Sequence, residues 1–293
     1  MILTSFSQML PILLVILAGY IAGSKKVVGS EQVVPIVADF FMPALIFISL
    51  AESELNLTSI GSMAKASALV CLSLFVLALL WAQAAKQPIS DTVPALVFMN
   101  SGFLGIPLMQ LYGGSEAMNL ILIFDQIQGI FMFTLGVLVI TGGLHRQAMQ
   151  AMVRSPILWA VAAGFIIHFT QLPIPTALST SFRFAGEAAS PLAAFVLGLS
   201  LHSVQFSFDR HLAGALLVRF AGGFGIGFLV ATLFGLEGLV RTVVIVAAAL
   251  PSAVFTSVLP LRYGRSNTFA STMVITSTLL GILTIPLSFM LAV

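Results

Sequence analysis

Long apolar runs separated by short polar connectors make up almost the whole chain. A helix that crosses lipid needs about 20 mostly apolar residues. Ten runs meet or approach that length: 8–23, 32–51, 66–85, 93–112, 117–143, 156–170, 177–201, 212–233, 238–261 and 268–292. Membrane strands would alternate polar and apolar positions over roughly ten residues. These runs are continuous, so the pattern predicts helices. The first run opens Met1-Ile2-Leu3 with no basic residue before it. It lacks the charged leader of a signal peptide and is read as a true span.

Composition confirms the solvent. Of 293 residues, 59% are hydrophobic and 8% charged, about a third of the roughly 25% charged residues of soluble domains. So few charges cannot cover a soluble surface of this size. The net charge of +2 gives a nucleic-acid partner no electrostatic support. Cys71 is the only cysteine, so no intramolecular disulfide can form.

The connectors hold most charges: Ser24-Lys25-Lys26, Lys86-Gln87-Pro88, His145-Arg146, Asp209-Arg210-His211 and Arg262-Tyr263-Gly264-Arg265. With the N-terminus outside, the inner connectors carry Lys25, Lys26, Lys86, Arg146, Arg154, Arg210, Arg262 and Arg265, and the outer ones only Lys65 and Arg241. By the positive-inside rule, both termini are then expected on the non-cytoplasmic side of a cell membrane, the inner membrane in a Gram-negative bacterium.

The chain also resembles itself. Pro11-Ile-Leu-Leu-Val-Ile-Leu-Ala-Gly-Tyr-Ile21 parallels Pro156-Ile-Leu-Trp-Ala-Val-Ala-Ala-Gly-Phe-Ile166, and Pro43-Ala-Leu-Ile-Phe47 parallels Pro191-Leu-Ala-Ala-Phe195, at offsets of 145 and 148. Five spans per copy is an odd number, so the copies, 1–150 and 151–293, are expected in opposite orientations. Inverted repeats are a common plan of secondary transporters, with the substrate site where corresponding helices break. Spans 4 and 9 carry the strongest breakers, in Asn100-Ser101-Gly102-Phe103-Leu104-Gly105-Ile106-Pro107-Leu108 and Ala249-Leu250-Pro251-Ser252-Ala253-Val254-Phe255-Thr256. Proline removes a backbone donor and glycine loosens the backbone. Freed backbone groups in lipid are tolerated where they line a cavity or are buried in protein. The positive ends of half-helices suit an anion. The expected site is therefore Asn100, Ser101, Gly102, Gly105, Ile106, Pro107, Leu250, Pro251, Ser252 and Thr256.

These residues resemble the auxin efflux carrier family, which includes bacterial malate or malonate permease-like proteins. Asn100 to Leu108 is similar to its Asn-x-x-x-x-Gly-Ile-Pro-Leu stretch. Ala249-Leu250-Pro251 followed by Tyr263-Gly264, and Pro191-Leu192 followed by Gly198 and Leu201, resemble its span-9 and span-7 patterns. Thr256 stands where plant members have a second proline, and Arg219 where bacterial members commonly have lysine. The resemblance implies an all-α integral membrane protein of ten transmembrane helices. Helices 4 and 9 cross at their breaks, spans 1, 2, 6 and 7 form a scaffold, and spans 3–5 with 8–10 form a mobile transport unit. It further implies elevator-type carriage of a small organic anion by a homodimer, with Asn100 a substrate contact and Pro107 the span-4 break.

Ionisable residues within spans are costly and functional by default. Here they are Asp39, Asp125, Arg183, Glu187 and Arg219. Asp39 and Glu187 each stand four residues before a repeat-equivalent proline, Pro43 or Pro191, and are candidates for taking up a proton. Alternatively Glu187 pairs with Arg183, one helical turn away. Asp125, Gln126 and Gln128 cluster in four residues and are expected to face protein. Asp125 lies about 12 Å in from the outer end of span 5, and Arg219 about 10 Å in from the inner end of span 8. In a core of roughly 30 Å that leaves about 8 Å between them, so a direct pair requires tilt or shifted boundaries. Otherwise Arg219 serves as a site cation or holds backbone carbonyls near the crossing. His168 is expected as a polar span-end residue, and Glu237 with Arg241 as an exposed pair.

The expected function is secondary transport of small organic anions such as mono- or dicarboxylates, with proton coupling favoured over sodium. A passive anion channel and a membrane-embedded sensor are the alternatives, although no connector has room for a signalling or nucleotide-binding domain. No enzyme motif is found: no paired aspartates, no Gly-x-Ser-Gly, and no clustered His or Cys to hold zinc. No cofactor or metal is expected.

Overall fold

The computed structural model describes residues 2–53, 55–142, 146, 150, 153–154, 156–201, 209–263 and 268–292. His145, Gly264 and Arg265 lie outside them. Among the described residues the chain is helical without a strand, apart from one isolated antiparallel bridge. Six helices are long and apolar enough to cross a membrane: Gln32–Ala51, Leu57–Ala84, Ser101–Thr141, Thr176–Leu199, Arg210–Leu233 and Thr268–Ala292. Leu10–Ser24, Pro156–Thr170 and Gly238–Ala248 are shorter apolar helices.

In chain order the helices of the first half are α1 (Ile2–Ser24), α2 (Ser30–Ile36), α3 (Met42–Ala51), α4 (Leu57–Ala84), α5 (Ile89–Val97), α6 (Ile106–Phe131) and α7 (Val137–Thr141). Those of the second are α8 (Pro156–Thr170), α9 (Thr176–Glu187), α10 (Ala189–Leu201), α11 (Arg210–Leu217), α12 (Gly223–Leu233), α13 (Gly238–Ala248), α14 (Phe255–Arg262) and α15 (Thr268–Ala292). Wider π-helical turns at Val37–Phe41, Ser101–Gly105, Met132–Gly136 and Val218–Gly222 interrupt them. Such turns often mark functional positions, and here they contain Asp39, Ser101 and Arg219.

Two helix starts lie more than four residues from the hydropathy reading. Helix α1 begins at Ile2 rather than at residue 8. Helix α4 begins at Leu57 rather than 66, because the Asn56 side chain accepts the Ser59 N–H and starts the helix in a polar stretch. Lys65 therefore sits on α4 and not in a connector. Its side chain is exposed, and its long stem can carry the charge outward.

Helix α6 is really two helices. Gly113 (φ −134°, ψ 22°) and Gly114 (φ 64°, ψ −152°) break it, the latter in a conformation open to glycine. An unbroken helix would hold residues 101 and 125 about 36 Å apart at 1.5 Å per residue. Instead the Ser101 hydroxyl lies 2.6 Å from Asp125, so the chain turns back at the glycines.

Helix α1 packs along α10, and α3 along α8. In both crossings a glycine brings backbones together. A Cβ at Gly19 would meet the carbonyl of Phe195, and one at Gly164 would lie 3.1 Å from the carbonyl of Phe47. Gly19 with Gly164, and Phe47 with Phe195, are related by the same offsets of 145 and 148 that relate the proline-led segments. The two crossings are thus the same contact made twice with the partners exchanged. Small residues at such crossings let helices gain close van der Waals contact, which substitutes for the absent hydrophobic drive in lipid.

Helices α4, α5, α6, α12, α13 and α15 pack on one another around the interrupted segments. Residues 92–101 and 242–254 are buried without exception. The irregular backbone between the half-helices is thus enclosed by protein, as an apolar solvent demands.

Candidate functional site

The helical hydrogen-bond ladder stops at Val97 and Ala248, and two short extended pieces cross. Met99 and Ser252 form the antiparallel bridge. Asn100 N–H donates to the Pro251 carbonyl at 2.8 Å, and Ala253 N–H to the Phe98 carbonyl at 2.9 Å. Pro251 has no N–H to contribute, so the break falls where the sequence lacks a donor.

Side chains satisfy the groups that this bridge leaves over. Gln128 accepts Met99 N–H at 2.9 Å and donates to the Met99 carbonyl at 2.8 Å and to the Ser101 hydroxyl at 3.0 Å. Across the crossing, Ser277 accepts Ser252 N–H at 3.0 Å and the Ser252 hydroxyl donates to the Ala95 carbonyl at 2.6 Å. The sequence reading did not place Gln128 or Ser277 in the site. Gln128 carried a signal, being one turn from Asp125 on the same helix face. Ser277 carried none, since hydroxyls in apolar helices commonly bond their own backbone, as Thr278 does to Val274. Gln128→Leu leaves both Met99 groups without partners. At about 1–3 kcal/mol per buried orphan, the variant is expected to lose several degrees in Tm by a detergent thermal melt, and Gln128→Ala likewise.

Arg219 closes the other side of the crossing. Its guanidinium is fully buried and donates to the carbonyls of Leu96 (2.7 Å), Val97 (3.1 Å) and Ala248. Those are the C-terminal carbonyls of α5 and α13, where a positive charge also meets the negative end of each helix dipole. A single cation therefore pins both half-helices. It does not pair with Asp125, whose bonds run to the Ser101 hydroxyl and, at 3.3 Å, the Gln126 amide.

On the open side lies a cavity lined by Asn100, Gly102, Phe103, Asp125, Gln128 and Phe255. It continues past Gln126 to Asp39, Ile157 and Leu158, toward the end of the molecule where α1 stops and α8 starts. Asn100 is 2% exposed, and its Nδ2 has no hydrogen-bond partner among the described residues. Asp125 sits against the first turn of the half-helix that starts at Ser101, its Oδ1 3.4 Å from where a Cβ on Gly102 would lie. Asp39 is exposed on the π-helical turn between α2 and α3.

The remaining candidates are placed as follows. Leu250 packs where a Cβ on Gly105 would fall, and Pro251 against Gly281. Thr256 bonds back to the Ala253 carbonyl at 2.7 Å, closing the first turn of α14. Ile106 and Pro107 are buried at the start of α6, so Pro107 is not the span-4 break. A proline fits the first turn of a helix, where its missing N–H would have no partner, and the chain opens earlier, at 98–100. In span 9 it is Ala253, Val254 and Phe255 that line the cavity. Arg183 pairs with Glu52 at 2.7 Å on an exposed surface, not with Glu187. Helix spacing put Arg183 and Glu187 on one face, but the end of α3 brings Glu52 closer. Both line a second, polar pocket with Ser49, Glu116 and Asn119. Arg241 lies over the Phe228 ring at 5.0 Å, a cation–π contact in place of the expected pair with Glu237. His168 is in the last turn of α8.

A family model described as "membrane transport protein" matches residues 4–150 and 143–289. An "uncharacterized transporter" of Methanothermobacter thermautotrophicus is 30% identical over 301 aligned positions, covering 97% of both chains. Another, of Methanocaldococcus jannaschii, is 26% identical across 91% of this chain and 92% of its own. A third, of Escherichia coli K12, is 22% identical across 70% and 71%.

Proposed function

Because the chain belongs to the membrane transport protein family, we propose that it is a secondary carrier of small organic anions, mono- or dicarboxylates such as malate or malonate. It is a membrane transporter and not an enzyme. The observation that carries the anion site is the buried Asn100 amide, which faces the crossing cavity with a donor to spare. The half-helix beginning at Ser101 adds the partial positive charge of its N-terminal end.

The reciprocal glycine crossings support an inverted repeat of five spans each, 1–150 and 151–293. Under that reading spans 1, 2, 6 and 7 form the scaffold, here α1–α3 and α8–α10. The transport unit is α4–α7 with α11–α15. The cavity leans toward the end carrying Lys25 and Lys26, the cytoplasmic end by charge, which supports an inward-open state of an elevator cycle. The working form is a homodimer in the cell membrane, with both termini outside.

Thermal melts of the purified protein with malonate test the site. Malonate is expected to raise Tm in the native protein and to leave Asn100→Ala unshifted, while the unliganded Tm of Asn100→Ala stays within about 2 °C of native, since the lost Nδ2 had no partner and truncation costs only modest packing. Equal shifts in both proteins would remove Asn100 from the site. Saturable counterflow of labelled malonate in proteoliposomes distinguishes a carrier from an anion channel or a sensor.

A further inference from the structure

The crossing cavity presents a charge problem. Among the described residues that line it, Asp125 and Asp39 are the titratable groups, and none is basic. The elements facing Asp125 contribute uncharged groups: Ser101 and Gly102, Phe255 of α14, and Ile157 and Leu158 of α8. Arg219 offers no relief, because its bonds point away to Leu96, Val97 and Ala248. Asp125 already occupies the place most favourable for an anion. It receives the Ser101 hydroxyl at 2.6 Å and rests against Gly102 at the positive end of the half-helix. Beside it the Asn100 amide stands buried and unpartnered among the described residues.

We propose that Asp125 is the proton-carrying group of the transport cycle, and that an anion binds at Asn100 and Ser101 only as Asp125 takes up a proton. This deepens the anion-carrier reading and rests on it. The chemistry is a simple exchange. A proton from solution adds to one carboxylate oxygen of Asp125. The Ser101 hydroxyl is then released from Asp125 and donates to a carboxylate oxygen of the substrate, beside the Asn100 Nδ2. The proton on Asp125 offsets one negative charge of the substrate, the whole charge of a monocarboxylate and half that of a dicarboxylate such as malonate. Two like charges in a protein interior repel strongly, so proton and anion each favour the binding of the other by linkage. On release the steps reverse, and the proton leaves with the anion. Asp39 lacks this placement: it is exposed on the other unit, and the backbone at the crossing does not depend on it.

Calorimetric titration of the purified protein with malonate, in buffers of different ionisation heat, reads the proton directly. The native protein is expected to take up about one proton per malonate, and Asp39→Asn to keep that uptake. Asp125→Asn is expected to bind malonate with no uptake and with affinity independent of pH. Infrared difference spectra of the native protein with carbon-13 malonate are expected to gain a protonated-carboxyl band, which persists in Asp39→Asn and so keeps the assignment testable if Asp125→Asn fails to fold. Binding of malonate without proton uptake, uptake lost in Asp39→Asn, or a requirement for sodium at fixed pH each overturns the role of Asp125 while leaving the carrier reading intact. Failure of the native protein to bind malonate, malate or acetate overturns the anion reading first, and this role with it.

Discussion

Arg219→Met is expected to melt roughly 10 °C below the native protein in detergent and to lose transport in proteoliposomes. Three buried carbonyls, of Leu96, Val97 and Ala248, share this one guanidinium. Each costs about 1–3 kcal/mol when left unsatisfied. Removing the charge also relieves the cost of burying it, so the net loss is on the order of 3 kcal/mol, and a chain of this size loses about 2–4 °C per kcal/mol. Arg219→Lys is expected to recover about half of the lost Tm. An ammonium carries three donors at a point, whereas the planar fork of arginine reaches both half-helices at once. An unchanged Tm in Arg219→Met would mean that the carbonyls are held by other groups, and that α5 and α13 are not pinned by this residue.

Gly198→Leu is expected to abolish the monodisperse peak of the folded protein in size-exclusion chromatography, and Gly164→Leu to do so at the equivalent crossing. A Cβ at Gly198 would fall on the Ile16 carbonyl and lie 2.8 Å from the Tyr20 amide. These are backbone atoms of α1, which cannot rotate aside as a side chain can. Separating two helices packed along their length costs on the order of 3 kcal/mol or more. Gly225→Leu is the control, since nothing lies within 4 Å of a Cβ there. Equal loss in Gly225→Leu would mean that bulk on a lipid-facing helix is itself the fault.

The parts of this protein legible in sequence are those with a local physical cause. Hydropathy located the apolar helices because lipid selects for length and apolar composition. Against ten expected spans, six helices among the described residues are long and apolar enough to cross, and three more are apolar but shorter. The break in span 9 was legible because Pro251 lacks an N–H, and an extended piece does fall at 251–253. In span 4 the extended piece falls at 98–100, which holds neither proline nor glycine, several residues before the expected Pro107. The start of α4 was missed because Asn56 begins the helix in polar residues that hydropathy discards. The clustered polar residues of span 5 predicted correctly that Asp125 and Gln128 face protein. No spacing could say what they meet, since their partners Met99 and Ser101 lie 24 to 29 residues away. The Arg183–Glu187 pair failed for the same reason: helix periodicity knows which residues share a face, but Glu52 arrives from another helix.

The sequence by itself determined that the chain lives in lipid, where its helices run, which two of them break, and which charges are too costly to be idle. Only the tertiary structure decided how those charges are used. Arg219 went to the carbonyls of two half-helices, and Asp125 to the positive end of a third, while Asn100 was left facing the cavity with its amide free among the described residues. The division follows from the solvent. Lipid dictates composition one segment at a time, whereas each polar group buried within the protein must find a partner from whichever part of the chain the fold brings near.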